Sequence, residues 1–130
     1  MNSATPESEL KATVEHLIQS GCNYHLEELE KIYSPDLKIV IVDPSGQVTV
    51  LDYEQNFQFF KSKRDSGASP LDTTARFDHL EVSGQYGYVV VTRHMALADK
   101  PQKIVFSLTL DKFGGAWRVL RETAVIVGKT

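Results

Sequence analysis

Several side chains in this 130-residue chain are of types that move protons or hold anions, and they stand inside otherwise apolar runs. His94 lies in Thr92-Arg93-His94-Met95, where a histidine serves either as a proton shuttle near neutral pH or as a hydrogen-bonded core or interface residue. Arg93 points to the opposite face of a regular strand, so only one of the two faces a given pocket. Arg121 and Glu122 pose the same choice in the last apolar run. Buried charge is costly unless paired. Arg76, Arg93, Arg121 and Glu122 therefore form ion pairs, meet an anionic ligand group, or sit at an exposed sheet edge, and an arginine among apolar walls suits a carboxylate. Tyr53, Phe57 and Phe60 share one helix face and either line a pocket or fill the core. Asp43 opens Asp43-Pro44-Ser45-Gly46, a sequence that a type I turn favours.

Other chemistries find no support in the pattern. His16, His25 and His79 have no metal-ligand spacing with Asp, Glu or the lone Cys22, so neither a metal nor a cofactor is expected. A Gly-rich phosphate loop and a Gly-x-Ser-x-Gly nucleophile elbow are both missing. With 14 Lys+Arg against 17 Asp+Glu the formal charge is -3, which offers no basic excess for a nucleic-acid backbone. The first residues lack a basic and then apolar leader, and no apolar run approaches the ~20 residues of a membrane span. One cysteine forms no internal disulfide. The expectation is a soluble cytoplasmic protein with no nucleic-acid or membrane partner, folded as one domain over residues 1–130.

The elements that must position these side chains follow from periodicity. Thr5 as N-cap and Pro6 at the first helical position precede Leu10, Val14, Leu17 and Ile18, which predicts an amphipathic helix ending at Gly21. A second helix is expected from Asn23 through Leu26, Leu29, Ile32 and Tyr33, stopped by Ser34-Pro35-Asp36. Strands over 37–42 and 47–51 flank the Asp43 turn. Asp52 and Gln55 form a capping-box start for a third helix that ends near Ser66-Gly67. Four strands are then predicted over 74–83, 88–98, 102–110 and 117–127, separated by Gly84-Gln85-Tyr86-Gly87, Asp99-Lys100-Pro101 and a Gly114-Gly115 turn. The order α-α-β-β-α-β-β-β-β describes an α+β fold with helices on one face of an antiparallel sheet.

Val89-Val90-Val91 and Ala124-Val125-Ile126-Val127 are apolar at consecutive positions, where a sheet with one wet face would alternate. Three helices cover one face. A homodimer through the other sheet face is the expected partner for the rest.

Three stretches resemble the nuclear transport factor 2-like superfamily, in its SnoaL-type and ketosteroid-isomerase-like branch. They are Asn23 to Pro35, with Leu-Glu-Lys-Ile-Tyr-Ser-Pro-Asp at the helix end; Val42-Asp43-Pro44-Ser45-Gly46; and Leu110 to Val119, where a charged Gly-containing turn precedes Trp117-Arg118-Val119. The resemblance implies a cone, in which a curved antiparallel sheet wraps around the three helices and leaves a mostly apolar pocket. Such folds carry many functions, so function must be argued from the site.

The resemblance also implies roles. Asp43 matches the Asp that precedes Pro at the end of the first strand and acts as general base in ketosteroid-isomerase-like proteins; from this chain's own residues, His94 or Tyr53 is the expected secondary proton or hydrogen-bond partner. Tyr53, Phe57, Phe60, Arg93, Phe106, Arg121 and Glu122 are the expected ligand contacts. The chain departs from the isomerases in having no tyrosine in its first helix and no acid near Val105 and Phe106, which argues against a steroid isomerase. Two functions remain open: a pocket that binds a small, mostly apolar molecule and catalyses proton transfer of isomerase, cyclase or dehydratase type, or a non-catalytic ligand-binding or association module.

Overall fold

The computed structural model describes residues 5–97 and 100–129. The expected strand end at Ala98, the turn residue Asp99 and residues 1–4 of the N-terminal stretch lie outside the described residues. Three helices and six strands follow in the order α1 (Pro6–Cys22), α2 (Leu26–Ile32), β1 (Tyr33–Val42), β2 (Val48–Asp52), α3 (Tyr53–Asp65), β3 (Ala75–Ser83), β4 (Tyr86–Leu97), β5 (Lys100–Phe113) and β6 (Ala116–Lys129).

The caps explain why the helices begin where they do. Thr5 accepts a hydrogen bond from the Ser8 amide at 3.1 Å, and Asp52 and Gln55 complete a reciprocal capping box at the start of α3. Three expectations about the helical hairpin need correction. Gly21 does not end α1: it is buried within the last turn, where a Cβ would stand 3.6 Å from Cε1 of Phe60, an ordinary packing distance. Asn23 caps α1 instead of opening α2, its side-chain amide donating to the Gln19 carbonyl at 2.8 Å. Tyr24 then takes a left-handed φ of 57° to reverse the chain in minimal length. Tyr33 leaves the helix as well and pairs as the first residue of β1 with Val119.

The sheet order is β2-β1-β6-β5-β4-β3. It is mixed, because β1 runs parallel to β6 while every other neighbour is antiparallel. Periodicity identifies consecutive strands that form hairpins, but the direction in which β1 meets β6 is set by how the helical hairpin delivers it. α1 buries Leu10, Val14 and Leu17 in one cluster with Val89 and Val91 of β4, Leu108 and Leu110 of β5, and Val119 of β6. Burial of each such side chain contributes about 1.5–3 kcal/mol. The packing is tightest at Gly87, where a Cβ would come within 2.7 Å of Leu10 Cδ1. Glycine is thus the residue that lets α1 settle on the sheet.

Candidate functional site: an apolar cavity with a buried acid

The helices do not fill the concave side of the sheet. A cavity of about 230 Å³ remains between α1, α3 and the inner faces of β1, β4, β5 and β6. Its wall is apolar for the most part, including Val14, Leu17, Ile39, Val91, Ile104 and Leu108. Five side chains break that wall with chemistry: Cys22, Tyr33, Asn56, Arg93 and Glu122. Phe59 also borders the cavity and is 48% exposed, which places it at the rim.

Strand alternation explains who faces in. On β4 Val91, Arg93 and Met95 are buried while His94 is exposed, as a two-residue period requires. On β6 Glu122 and Ala124 are buried while Arg121, Val125 and Val127 face out. Arg93 and Glu122 thus meet the cavity, and their sequence neighbours His94 and Arg121 do not.

Arg93 is fixed by the segment that follows α3. Its Nη2 donates to Cys22 Sγ at 2.9 Å and to the Asp72 carbonyl. Its Nε is buried and has no partner among the described residues. Glu122 is 9% exposed, and among the described residues no hydrogen bond contributes to its proton affinity. Burial pushes its proton affinity up, against the pull of the Arg93 charge, to a pKa of about 7. Loss of solvation disfavours a carboxylate in an apolar wall, and a cation at some distance returns only part of that energy. Burial, and secondarily the Glu122 charge, raise the pKa of the Tyr33 hydroxyl well above the usual tyrosine value, while Asn56 and Arg93 favour its ionised form. At neutral pH the cavity therefore holds a carboxyl group that both gives and takes a proton, beside a neutral phenol and a fixed cation.

Of the other expected site residues, Phe60 and Phe106 line the same cavity and the rest stand elsewhere. Asp43 is a turn residue: its Oδ1 accepts from the Ser45 amide at 2.9 Å, the Ser45 hydroxyl at 2.6 Å and the Gln47 amide at 2.9 Å. These bonds, the Ser45 hydroxyl first, lower its pKa, which is opposite to what a general base in an apolar pocket requires. Tyr53 and Phe57 stack at 6.4 Å between ring centroids and border a separate void of about 10 Å³ with Phe60. Arg121 is exposed and donates to the carbonyls of Asp36 and Leu120, each at 2.8 Å. Among the described residues no three His, Cys, Asp or Glu side chains are grouped as a metal would need.

Sequence reasoning missed Tyr33, Cys22 and Asn56 as lining residues. Asn56 left a signal, since it is a polar residue on the apolar face of α3, three residues from Tyr53 and four from Phe60. Tyr33 left none, because it read as the end of a helix.

A six-stranded mixed sheet curved over three helices, with its cavity on the concave side, invites comparison with solved structures. A nuclear transport factor 2-like protein from Cytophaga hutchinsonii superposes with a TM-score of 0.77 at 16% identity, over 95% of this chain and 99% of that one. The chain has the nuclear transport factor 2-like fold. A second protein described as nuclear transport factor 2-like, from Silicibacter pomeroyi and of unknown function, gives a TM-score of 0.73 at 17% identity over 92% and 93% of the two chains. A ketosteroid isomerase-like protein from Erwinia carotovora atroseptica gives 0.69 at 11% identity over 97% and 99%. No protein-family model matches the chain, nor does any curated protein sequence. At such identities the nuclear transport factor 2-like fold is what these structures share with it, and the site must carry the rest. No helix among the described residues is long and apolar enough to cross a membrane.

Proposed function

We propose that the protein binds a small, mostly apolar molecule in the concave cavity and exchanges a proton with it through Glu122. The observation that carries this reading is a carboxyl group that is buried in an apolar wall and has a pKa of about 7, with no hydrogen bond among the described residues contributing to its proton affinity. General acid–base catalysis is most effective when the group's pKa lies near the working pH. Arg93 and the neutral Tyr33 hydroxyl, lining the same cavity, are suited to stabilise negative charge on a substrate oxygen. One carboxyl group is enough for an isomerisation, in which it delivers its proton to one atom of the substrate and recovers a proton from another. The cavity lies below the ~300–1,000 Å³ of drug-sized sites, so the ligand is small.

The outer sheet face supports association between copies of the chain. Val48, Val50, Val125 and Val127 are 57%, 53%, 39% and 55% exposed there, and such apolar surface is stabilised by a second sheet. A pocket that binds without turnover is the second reading, favoured by the small number of titratable groups in the cavity wall.

The test compares the wild-type protein, Glu122→Gln and Asp43→Asn for turnover of a panel of enolisable ketones and hydroxy acids. A positioned acid–base group contributes ~10²–10⁴-fold, so the Glu122 variant is expected to lose that factor and the Asp43 variant to keep its rate. Equal rates in wild type and Glu122→Gln would remove Glu122 from the mechanism. Ligand binding without turnover in any of the three would establish the binding module.

A further inference from the structure

We infer that the cavity is built for a small apolar molecule bearing a single carboxylate, and that Glu122 takes up a proton when that molecule binds. This inference rests on the reading of the cavity as a ligand site and adds the chemical class of the ligand.

The polar groups that share the cavity wall with Glu122 decide the charge of that wall. Arg93 comes from β4, Tyr33 from β1, Cys22 from α1 and Asn56 from α3, whereas β5 contributes only apolar side chains, among them Phe106 and Leu108. Arg93 is the one permanent charge in that set, and guanidinium does not lose its proton. With Glu122 ionised the lining carries one positive and one negative charge and is neutral overall. With Glu122 protonated the lining carries a net positive charge, and the nearest described counter-charge is the exposed Asp72 carboxylate, which stands outside the cavity wall and whose pKa Arg93 helps to lower. An apolar cation would therefore meet Arg93 with nothing gained, and a dianion would exceed the charge available. A monoanion fits the protonated form.

The geometry gives the anion a place. Both hydrogen bonds that the Arg93 guanidinium makes among the described residues leave from Nη2. Those bonds clamp its orientation through α1 and the segment around Asp72 while the cation still forms part of the cavity wall. A fixed cation on an apolar wall recognises carboxylate more strongly than one that must be ordered on binding. No hydrogen bond among the described residues contributes to the proton affinity of Glu122, and a bound carboxylate supplies an acceptor for its carboxyl hydrogen. The negative charge of the ligand also opposes ionisation of Glu122 across the low-dielectric cavity, whether or not the two groups touch. The rest of the ligand is apolar, because the rest of the wall is.

The proton balance follows. Below the Glu122 pKa the acid is already protonated, and carboxylate binding takes up nothing. Above it a proton from solvent accompanies each bound carboxylate, and affinity falls by up to about tenfold per pH unit.

Isothermal titration calorimetry with hexanoate and phenylacetate, and with hexanamide and phenylacetamide as neutral counterparts, tests this. Titrations in buffers of differing ionisation enthalpy between pH 6 and pH 8 report proton uptake. The acids are expected to bind at least about tenfold more tightly than the amides at pH 6, the margin of a charged hydrogen bond. Uptake should rise from little at pH 6 toward one proton per ligand at pH 8. Glu122→Gln, an uncharged isostere of the protonated acid, is expected to keep acid binding and to lose both the uptake and the fall in affinity with pH. Amides that bind as tightly as the acids, or acids that bind without uptake at pH 8, would overturn the inference and leave the cavity reading intact. Failure of all four probes to bind a folded wild-type protein would overturn the cavity reading itself, and this inference with it.

Discussion

Arg93 on β4 and Glu122 on β6 line one cavity from strands that β5 separates, and the guanidinium charge draws down a proton affinity that burial has raised. The two residues are not bonded to each other. Arg93 spends its hydrogen bonds on Cys22 and Asp72, and so anchors the loop after α3 to the sheet. Glu122 is left with burial as its main influence. A carboxyl group poised near neutrality is the outcome, and the functional account depends on it.

That poise has a consequence for stability. The Glu122 pKa rises from 4.5 in a solvated chain to about 7 in the fold, so between those values the folded state holds a proton that the unfolded state has released. Stability from this group is full below about pH 4.5, falls as pH rises toward 7, and is level above it. At ~1.36 kcal/mol per pKa unit the loss is on the order of 3 kcal/mol. Urea denaturation across pH 5 to 8 is expected to show this decline in the wild type and a flatter profile in Glu122→Gln. Parallel profiles would mean that Glu122 titrates normally.

Asp43 behaves in the opposite sense. Its pKa is lowered by the Ser45 hydroxyl and the turn amides, so the stability it lends the first hairpin is present above the ordinary aspartate pKa and is lost as pH falls through the lowered one. Asp43→Ala is expected to lower the melting temperature at pH 7 and to converge with the wild type near pH 2. Ligand affinity should not change. A change in ligand affinity without a change in melting temperature would return Asp43 to the site.

Much of this arrangement was legible in the sequence. Capping residues and a period of 3.6 or 2 located the helices and strands, because local hydrogen bonds and one-sided burial leave their mark on neighbouring residues. The pair Arg93 and Glu122 stood out as charges in apolar runs. What was not legible depends on distant contacts. Tyr33 reads as helix by its spacing from Leu29, but its pairing with Val119, 86 positions on, makes it a strand residue. Gly21 reads as a helix stop, yet it stays helical and is buried beside Phe60. Asp43 carries the same residues whether it caps a turn or faces a pocket, and only the direction of its carboxylate tells the two apart.

Gly87 tests the packing of α1 on the sheet. A Cβ there would lie 2.7 Å and 2.9 Å from the two δ-carbons of Leu10, which is fully buried. Gly87→Ala is expected to cost about 1–3 kcal/mol as an overpacked core. In Leu10→Ala the cavity created would accept the new methyl, so the double variant should be less destabilised than the two single effects together. Additive effects in chemical denaturation would show that helix and sheet are not in contact at this point.

The outer sheet face makes a separate prediction. Val125 sits between Val42 and Val105 in the sheet register and is partly exposed with Val127 beside it on the same face. Sedimentation of the wild type is expected to give a dimer and that of Val125→Lys a monomer of unchanged secondary structure. A wild type that remains monomeric at high concentration would exclude association through this face.

The most direct measurement is a carbon-13 NMR titration of the Glu122 carboxyl group in the wild type and in Arg93→Met. A midpoint of about 7 in the wild type, moving upward when the guanidinium charge is removed, is the result the account predicts. A midpoint in the ordinary glutamate range, or one indifferent to Arg93, would show that the cavity does not hold a poised acid and would contradict the proposed chemistry at its source.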